Sequence, residues 1–308
     1  MAQGIHGGRA AAAASPTFRQ AAGGPAVGAA GQLTRRPQIV NGMEEGNPVL
    51  TSFMARLLKR SPRTGRPSLV CGGARITERH IVTAGHCTAR VGDQVAVGGT
   101  AIDGGLRYTV TAVFVPPGGS AAGAKEGILD IAIVEYDADA PLNAAEAAAE
   151  GGKDGGTAVT PASLRVARVP SSAKNVTIGD KVTTLGWGAV YPESIGELFG
   201  PSRILRSVTT SVTPDDVCAL AYMSVAKTQP PYMFCAAGNE SGPCAGDSGG
   251  PAGYFPGDGK GFVIQGVVSA TISSLFYRCE PDAPSFYTEI GFFYDWMVET
   301  VKPLRLST

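Results

Sequence analysis

The sequence predicts an all-β protein assembled from many short strands. Three observations carry this expectation. Only 17% of the 308 residues are charged, while glycine (42) and proline (22) are abundant, as expected where turns are frequent. Hydrophobic residues reach 44%, ample for a packed core. From Leu69 onward, short apolar and β-branched runs alternate with turn-forming breaks.

Taken in order, Leu69-Val70-Cys71 precedes a Gly72-Gly73 break, and His80–Ala84 is a short β-branched strand. Gln94–Val97 and Tyr108–Val115 follow, the second with the alternation of a half-buried strand. Ile128–Tyr136 reads as a nearly continuous apolar strand with one acid, Asp130, in its middle. A carboxylate there is costly to bury unless it is paired. Asp137–Thr160, rich in Ala, Gly and Glu, reads as an inserted surface loop with a short helix at Ala144–Glu150. A boundary between two β-units falls at Pro161–Ser172. Strands resume at Lys181–Leu185, Ile204–Val212, Phe262–Ser269 and Ser285–Ile290. Phe293, Trp296, Met297 and Thr300 are spaced for one face of a carboxyl-terminal amphipathic helix over Phe292–Val301.

Bulk properties exclude several function classes. Lys plus Arg equals Asp plus Glu at 26 each, so no basic field exists to attract nucleic acid. No apolar run is long enough for a membrane-spanning helix. Six cysteines, scattered rather than set in Cys-x-x-Cys units, argue against zinc and against thioredoxin-type redox work. Counting alone leaves open whether they are disulfides or buried thiols, and which would pair. No carboxylate cluster has calcium spacing, so neither a metal nor another cofactor is expected.

Residues 1–38 differ in kind. They contain no Asp or Glu and four arginines: Arg9, Arg19, Arg35 and Arg36. Their longest apolar run, Ala10–Ala14, is too weakly hydrophobic for the core of a secretory signal. The segment reads as a disordered leader: a propeptide, an organelle transit peptide or a signal whose start is mis-assigned.

Nucleophilic catalysis by serine needs a hydroxyl, a base, a group that orients the base, and N–H donors for the oxyanion. Gly246-Asp247-Ser248-Gly249-Gly250-Pro251 is the sharpest signal. A serine flanked by glycines can sit on a tight turn, its hydroxyl exposed and the N–H groups of Gly246 and Ser248 aimed at one spot. The other reading of the hexamer is an ordinary Gly-rich hairpin loop. His86, in Thr83-Ala84-Gly85-His86-Cys87, is the candidate base; His6 lies in the leader and His80 at the start of a strand. Asp130 is the candidate orienting acid.

Together, Thr-Ala-Gly-His-Cys, Asp-Ile-Ala-Ile and Gly-Asp-Ser-Gly-Gly-Pro, in the chain order His, Asp, Ser, resemble the chymotrypsin-like serine proteases over about Ile39 to Val301. The resemblance implies two six-stranded antiparallel β-barrels, the first within 39–165 and the second within 166–308 together with the terminal helix. The cleft between them would hold a triad of His86, Asp130 and Ser248. It implies disulfides Cys71–Cys87, Cys218–Cys235 and Cys244–Cys279. Gly186-Trp187-Gly188 resembles the family's Gly-Trp-Gly stretch, and Ser269 a serine whose hydroxyl supports the triad aspartate. The gap from Asp130 to Ser248 exceeds the family's, which implies extra loops at Asp137–Thr160 and Ala189–Ser202.

The resemblance also implies a zymogen. Ile39-Val40-Asn41-Gly42 looks like the family's freed amino terminus, whose ammonium pairs with the Asp beside the nucleophile, here Asp247. The residue before Ile39 is Gln38 rather than a basic one, and Arg35-Arg36 lie further upstream, so an unusual activator or a second trimming step is required. The pocket floor falls on Gly242, with Ser269, Thr271 and Ser285 along its walls. An uncharged floor and a threonine wall point to small or medium uncharged side chains. Ala270 stands where the family has Trp, which weakens hydrophobic grip on neighbouring substrate residues. Polypeptide substrates and protein protease inhibitors are the implied partners of a secreted monomer, with an organelle lumen as the alternative location. Asn175-Val176-Thr177 and Asn239-Glu240-Ser241 are glycosylation sequons. The rival class is a catalytically silent homologue that binds or inhibits a partner; such proteins betray themselves by a damaged triad, and this one is intact. A Ser-His-Asp esterase fails on chain order.

Overall fold

The computed structural model describes residues 42–45, 51–60, 65, 67–119, 129–145, 159–170, 176–189, 201–223, 230–272, 279–280 and 282–301. Six strands close the first barrel: β2 (Met54–Arg60), β3 (Pro67–Arg75), β4 (His80–Thr83), β5 (Gln94–Val97), β6 (Leu106–Phe114) and β7 (Ala132–Tyr136). They hydrogen-bond antiparallel in the order β2-β3-β4-β7-β6-β5. Closure removes the free edges that would otherwise template aggregation. Val95, Val97, Leu106, Tyr108, Val110, Val134 and Tyr136 fill its interior, all at most 1% exposed.

The second barrel comprises β8 (Lys181–Gly186), β9 (Arg206–Val212), β10 (Met233–Ala237), β11 (Pro251–Tyr254), β12 (Val263–Ala270) and β13 (Ser285–Glu289). Its order is β9-β10-β13-β12-β11-β8, and the β8–β9 pairing closes it. The short strand β1 (Met43–Glu44) adds to β9 from outside. Helix α1 (Asp215–Tyr222) precedes β10, and α2 (Tyr294–Thr300) follows a single 3-10 turn at Gly291–Phe293 near the carboxyl end. Phe234 stacks on Tyr287 at 5.1 Å in this core, and Thr184 bonds the Tyr287 hydroxyl at 3.0 Å.

The two barrels are stitched by loops and by one buried charge. Leu205 N–H donates to Thr100 and Ile102 N–H to Arg203. Arg56 is fully buried, with its guanidinium 4.8 Å from the Trp187 ring centroid. Its Nη1 donates to the Ala101 carbonyl at 2.7 Å and its Nη2 to the Gly104 carbonyl, so loop oxygens solvate the charge. Trp187 itself donates Nε1–H to the Thr100 carbonyl at 2.8 Å.

The strands expected from sequence appear, with differences: Gly72-Gly73 is no break, since β3 runs through it paired with Arg56 and Ala55. Asp130 does not lie inside a strand: β7 begins at Ala132, and residues 129–131 leave the ladder. There the Asp130 carbonyl accepts a bond from the Thr288 hydroxyl at 2.9 Å, and Gly85 packs against Leu129 and Ile131. The run expected from Ile204 starts at Arg206 because Leu205 is committed to Thr100. Of the helix expected at Ala144–Glu150, Ala144 and Ala145 are helical and the remainder lies outside the described residues. The leader and most of the extra loop at Ala189–Ser202 also lie outside them.

Candidate active site

His86 sits on a one-turn 3-10 helix, Gly85–Cys87, directly after β4. Glycine at 85 lets that turn lie flat on the Asp130 segment: a Cβ there would meet Ile131 N and Leu129 O at 3.3 Å each. The turn ends on Thr88, held at a φ of 51°, a conformation uncommon for a residue with a side chain. Lys59 pins it, donating from Nζ to the Cys87 carbonyl at 3.0 Å and to the Thr88 hydroxyl at 2.5 Å. The Cys71–Cys87 disulfide fastens the same turn to β3.

The Asp130 carboxylate receives three kinds of donor. His86 backbone N–H donates to Oδ1 at 2.8 Å, and its ring Nδ1 lies 3.1 Å from Oδ1 and 2.9 Å from Oδ2. Ser269 Oγ donates to Oδ2 at 2.5 Å. Burial works against the charged carboxylate, but the His86 bond and charge, the Ser269 hydroxyl and the His86 N–H outweigh it and hold the pKa below its ordinary value. The ionised acid therefore fixes the proton of His86 on Nδ1, which leaves Nε2 of the neutral ring as an acceptor. Side-chain exposures of 24% for His86 and 6% for Asp130 show which of the two solvent or substrate can reach.

The serine loop is built against this assembly. Gly72 N–H donates to the Ser248 carbonyl at 2.7 Å, and Gly249 N–H donates to Val268 at 2.8 Å. Gly249 has a φ of 77°, and a Cβ there would run into the Thr83 hydroxyl, the Gly72 carbonyl and Ala84 N. Only glycine lets the loop approach so closely, two residues upstream of His86. β12 closes the circuit: Val268 holds the serine loop while its neighbour Ser269 holds Asp130. Within the loop, the N–H groups of Asp247, Gly249 and Gly250 all have carbonyl partners. Those of Gly246 and Ser248 have no acceptor among the described residues.

Asp247 is completely buried. It accepts from Gly188 N–H at 2.7 Å and Cys244 N–H at 2.9 Å. Burial nevertheless pushes its pKa up to about 6, the two backbone donors offsetting only part of the desolvation. A Cβ on either Gly186 or Gly188 would collide with this carboxylate, which explains the Gly-Trp-Gly stretch: two glycines clear room for a buried acid. Ile39, its expected partner, lies outside the described residues. Downstream, Glu44 pairs with Arg206, and on its other side Arg206 pairs with Gly186. Glu44 is thus two strand spacings, about 10 Å, from Gly186. Its carboxylate also bonds Arg206 Nη2 at 2.6 Å.

Of the expected pocket residues, Gly242 and Ser285 come together: a Cβ on Gly242 would sit 3.3 Å from Ser285 Oγ. Thr271 points to the Cys244–Cys279 disulfide, its hydroxyl 3.8 Å from the Cys279 sulfur. Ser269 instead bonds Asp130. Cys218–Cys235 forms the third bridge. Sequence reasoning missed Thr288, which supports Asp130 from behind, and Lys59. Neither carries a local pattern, because each acts across strands that the sequence does not place side by side.

The trypsin family model matches residues 40–297. Among curated proteins, a trypsin of Phaedon cochleariae is 31% identical over 145 residues, 46% of this chain and 49% of that protein. The chain therefore spans about half the length of that relative. Chymotrypsin-like elastase family member 3B of Macaca mulatta is 28% identical over 274 residues, 86% of this chain and 93% of that one. Among solved structures, neuropsin, a serine protease of mouse brain, superposes with a TM-score of 0.62 at 19% identity, covering 84% of this chain and 98% of that one, which supports the fold. With two closed six-stranded barrels and a family match over most of its length, the chain belongs to the trypsin family of serine proteases.

Proposed function

We propose that the chain is a serine endopeptidase acting through an acyl-enzyme, with Ser248, His86 and Asp130 as its triad. The roles are those of a Ser-His-Asp triad in acyl transfer. Ser248 Oγ attacks the peptide carbonyl while His86 Nε2 takes its proton. The resulting oxyanion is met by Gly246 and Ser248 N–H. His86 then returns the proton to the leaving amine, and water, deprotonated by the same nitrogen, releases the acyl group and restores the serine. Asp130 stays ionised throughout and steadies the imidazolium. The observation that carries this reading is the hydrogen-bonded run Ser269–Asp130–His86 set against a loop with two uncommitted N–H groups. Ser248→Ala tests it: hydrolysis of peptide substrates should fall by about a millionfold, leaving only the residual rate that binding and the oxyanion donors supply, and retention of the parent rate would overturn the assignment.

We infer further that the chain is made as a zymogen. The span from Ile39 to Glu44 is five residues, up to about 17 Å when extended, enough to cross from β1 to the buried Asp247. An ammonium at Ile39 would supply the charge that this site lacks. Amino-terminal sequencing of active material should begin at Ile39. The contact of Gly242 with Ser285 favours small or medium uncharged side chains at the cleavage site. A library profile dominated by Lys and Arg would overturn that preference. Three disulfides suit a secreted or lumenal protein, with polypeptide substrates and protein inhibitors as partners.

A further inference from the structure

Away from the serine loop, a cleft of about 780 Å³ opens between the Arg75–Arg79 corner of the first barrel and residues 159–166. That volume suits a bound ligand or a short peptide segment. None of the residues proposed for catalysis lines it. Its floor is Arg75, which is 7% exposed. Nε donates to the Tyr136 hydroxyl at 2.9 Å, Nη1 to the carbonyls of Leu164 at 3.0 Å and Arg165 at 3.2 Å, and Nη2 to the carbonyl of Glu78 at 3.1 Å. Every one of these partners is a neutral oxygen. The guanidinium is held in place by these four bonds, and among the described residues no carboxylate in contact cancels its charge.

The rim adds to that positive potential. Arg165 and Lys260 are both exposed, and among the described residues neither has a carboxylate within salt-bridge distance. Asp258 accepts the Lys260 backbone N–H at 2.9 Å and feels the Lys260 charge, while its other oxygen is held by Arg168 at 2.7 Å, so it offsets the Lys260 charge only in part. Arg79 and Asp139 approach to 3.6 Å and largely offset each other, which leaves Glu78 as the one remaining acid of the lining. Cations outnumber acids four to two around the cleft. Val159, Leu164 and Val166 supply an apolar wall beside them. A sulfated glycan would use the charges and waste that wall, whereas a peptide carrying both acidic and aliphatic side chains would use both.

We propose that this cleft docks an acidic, aliphatic-bearing peptide segment of another protein, at a site separate from bond cleavage. The inference does not rest on the proposed catalytic roles. The test is fluorescence anisotropy of a fluorescein-labelled Glu-Leu-Glu-Glu-Leu-Glu peptide titrated with the full chain carrying Ser248→Ala, so that the probe stays intact. Saturable binding is expected, weakening as salt is raised. Affinity should fall about tenfold or more in Arg165→Glu/Lys260→Glu. Arg203→Glu, whose parent side chain is 84% exposed and lies outside the cleft, should bind as the parent does. Absence of saturable binding, an equal loss in Arg203→Glu, or tight binding of a heparin fragment where the peptide fails would each overturn the proposal. Both cleft substitutions are on exposed side chains, so loss of folding does not cloud the comparison.

Discussion

Replacing Gly188 by alanine probes the space around the buried acid at the base of the serine loop. The added methyl would fall on the Asp247 carboxyl group, which is fully enclosed and has no open side to move towards. Gly188 is not in the left-handed region, so the penalty is one of space rather than backbone strain. Overpacking a tight interior costs about 1–3 kcal/mol. Displacing the carboxylate also weakens the 2.7 Å bond from Gly188 N–H, a bond to a charged acceptor worth about 1.5–3 kcal/mol. Together these predict a loss of roughly 3–5 kcal/mol, a large share of a typical domain's stability. Asp247 adjoins Ser248, so hydrolysis should fall with it. Urea unfolding monitored by tryptophan fluorescence, together with peptide hydrolysis, measures both. Gly104→Ala is the control: its Cβ would make ordinary contacts at 3.5 Å with the Ala101 carbonyl, and the change should be nearly neutral. A Gly188→Ala protein as stable and active as the parent would show that the Gly-Trp-Gly stretch does not exist to house the acid.

Other outcomes follow from the same geometry. Asp247 has a folded-state pKa raised from 3.8 to about 6, so in the unprocessed chain it favours folding below its unfolded value and penalises it as pH rises through 6, by roughly 3 kcal/mol at neutral pH. An Ile39 ammonium should remove that penalty, so processed protein should exceed unprocessed protein in stability at pH 7.5 but not at pH 4, as read by unfolding of the two forms. Ser269→Ala should lower kcat/KM about tenfold to a hundredfold by removing a hydroxyl donor from the ionised Asp130. Asp130 is depressed in the fold, so its contribution is complete above its unfolded pKa and lost as pH falls through the folded one; Ser269→Ala should bring that loss to higher pH in acid unfolding. Lys59→Met should loosen the histidine turn and lower kcat/KM several-fold, roughly 1 kcal/mol, with little change in unfolding midpoint.

What the sequence made legible was local chemistry. Gly-rich punctuation around Ser248 and a histidine beside a cysteine are patterns within a few residues, and β8, β9 and β12 of the second barrel carry the β-branched runs that such reading detects. β2, β10 and β11 escape such reading because Met54–Arg60, Met233–Ala237 and Pro251–Tyr254 contain no Val, Ile or Thr; their strand state comes from pairing on both sides. Helix α1 did carry a signal, Pro214 followed by Asp215 and Asp216 in the first turn. Asp130 was misplaced in a strand because an apolar run does not record that Thr288 and Gly85 pull its middle out of the ladder. Nothing in the sequence around Arg56 marks it as buried, and only tertiary structure gives it carbonyl partners and the face of Trp187.

The catalytic assignment stands on one reactive hydroxyl, so labelling with a fluorophosphonate followed by peptide mapping tests it most directly. Processed protein should carry one adduct, on Ser248, and His86→Ala should take it up far more slowly. Protein that begins at Ile39 yet stays unlabelled, or carries the adduct on another residue, would be incompatible with an endopeptidase built on Ser248.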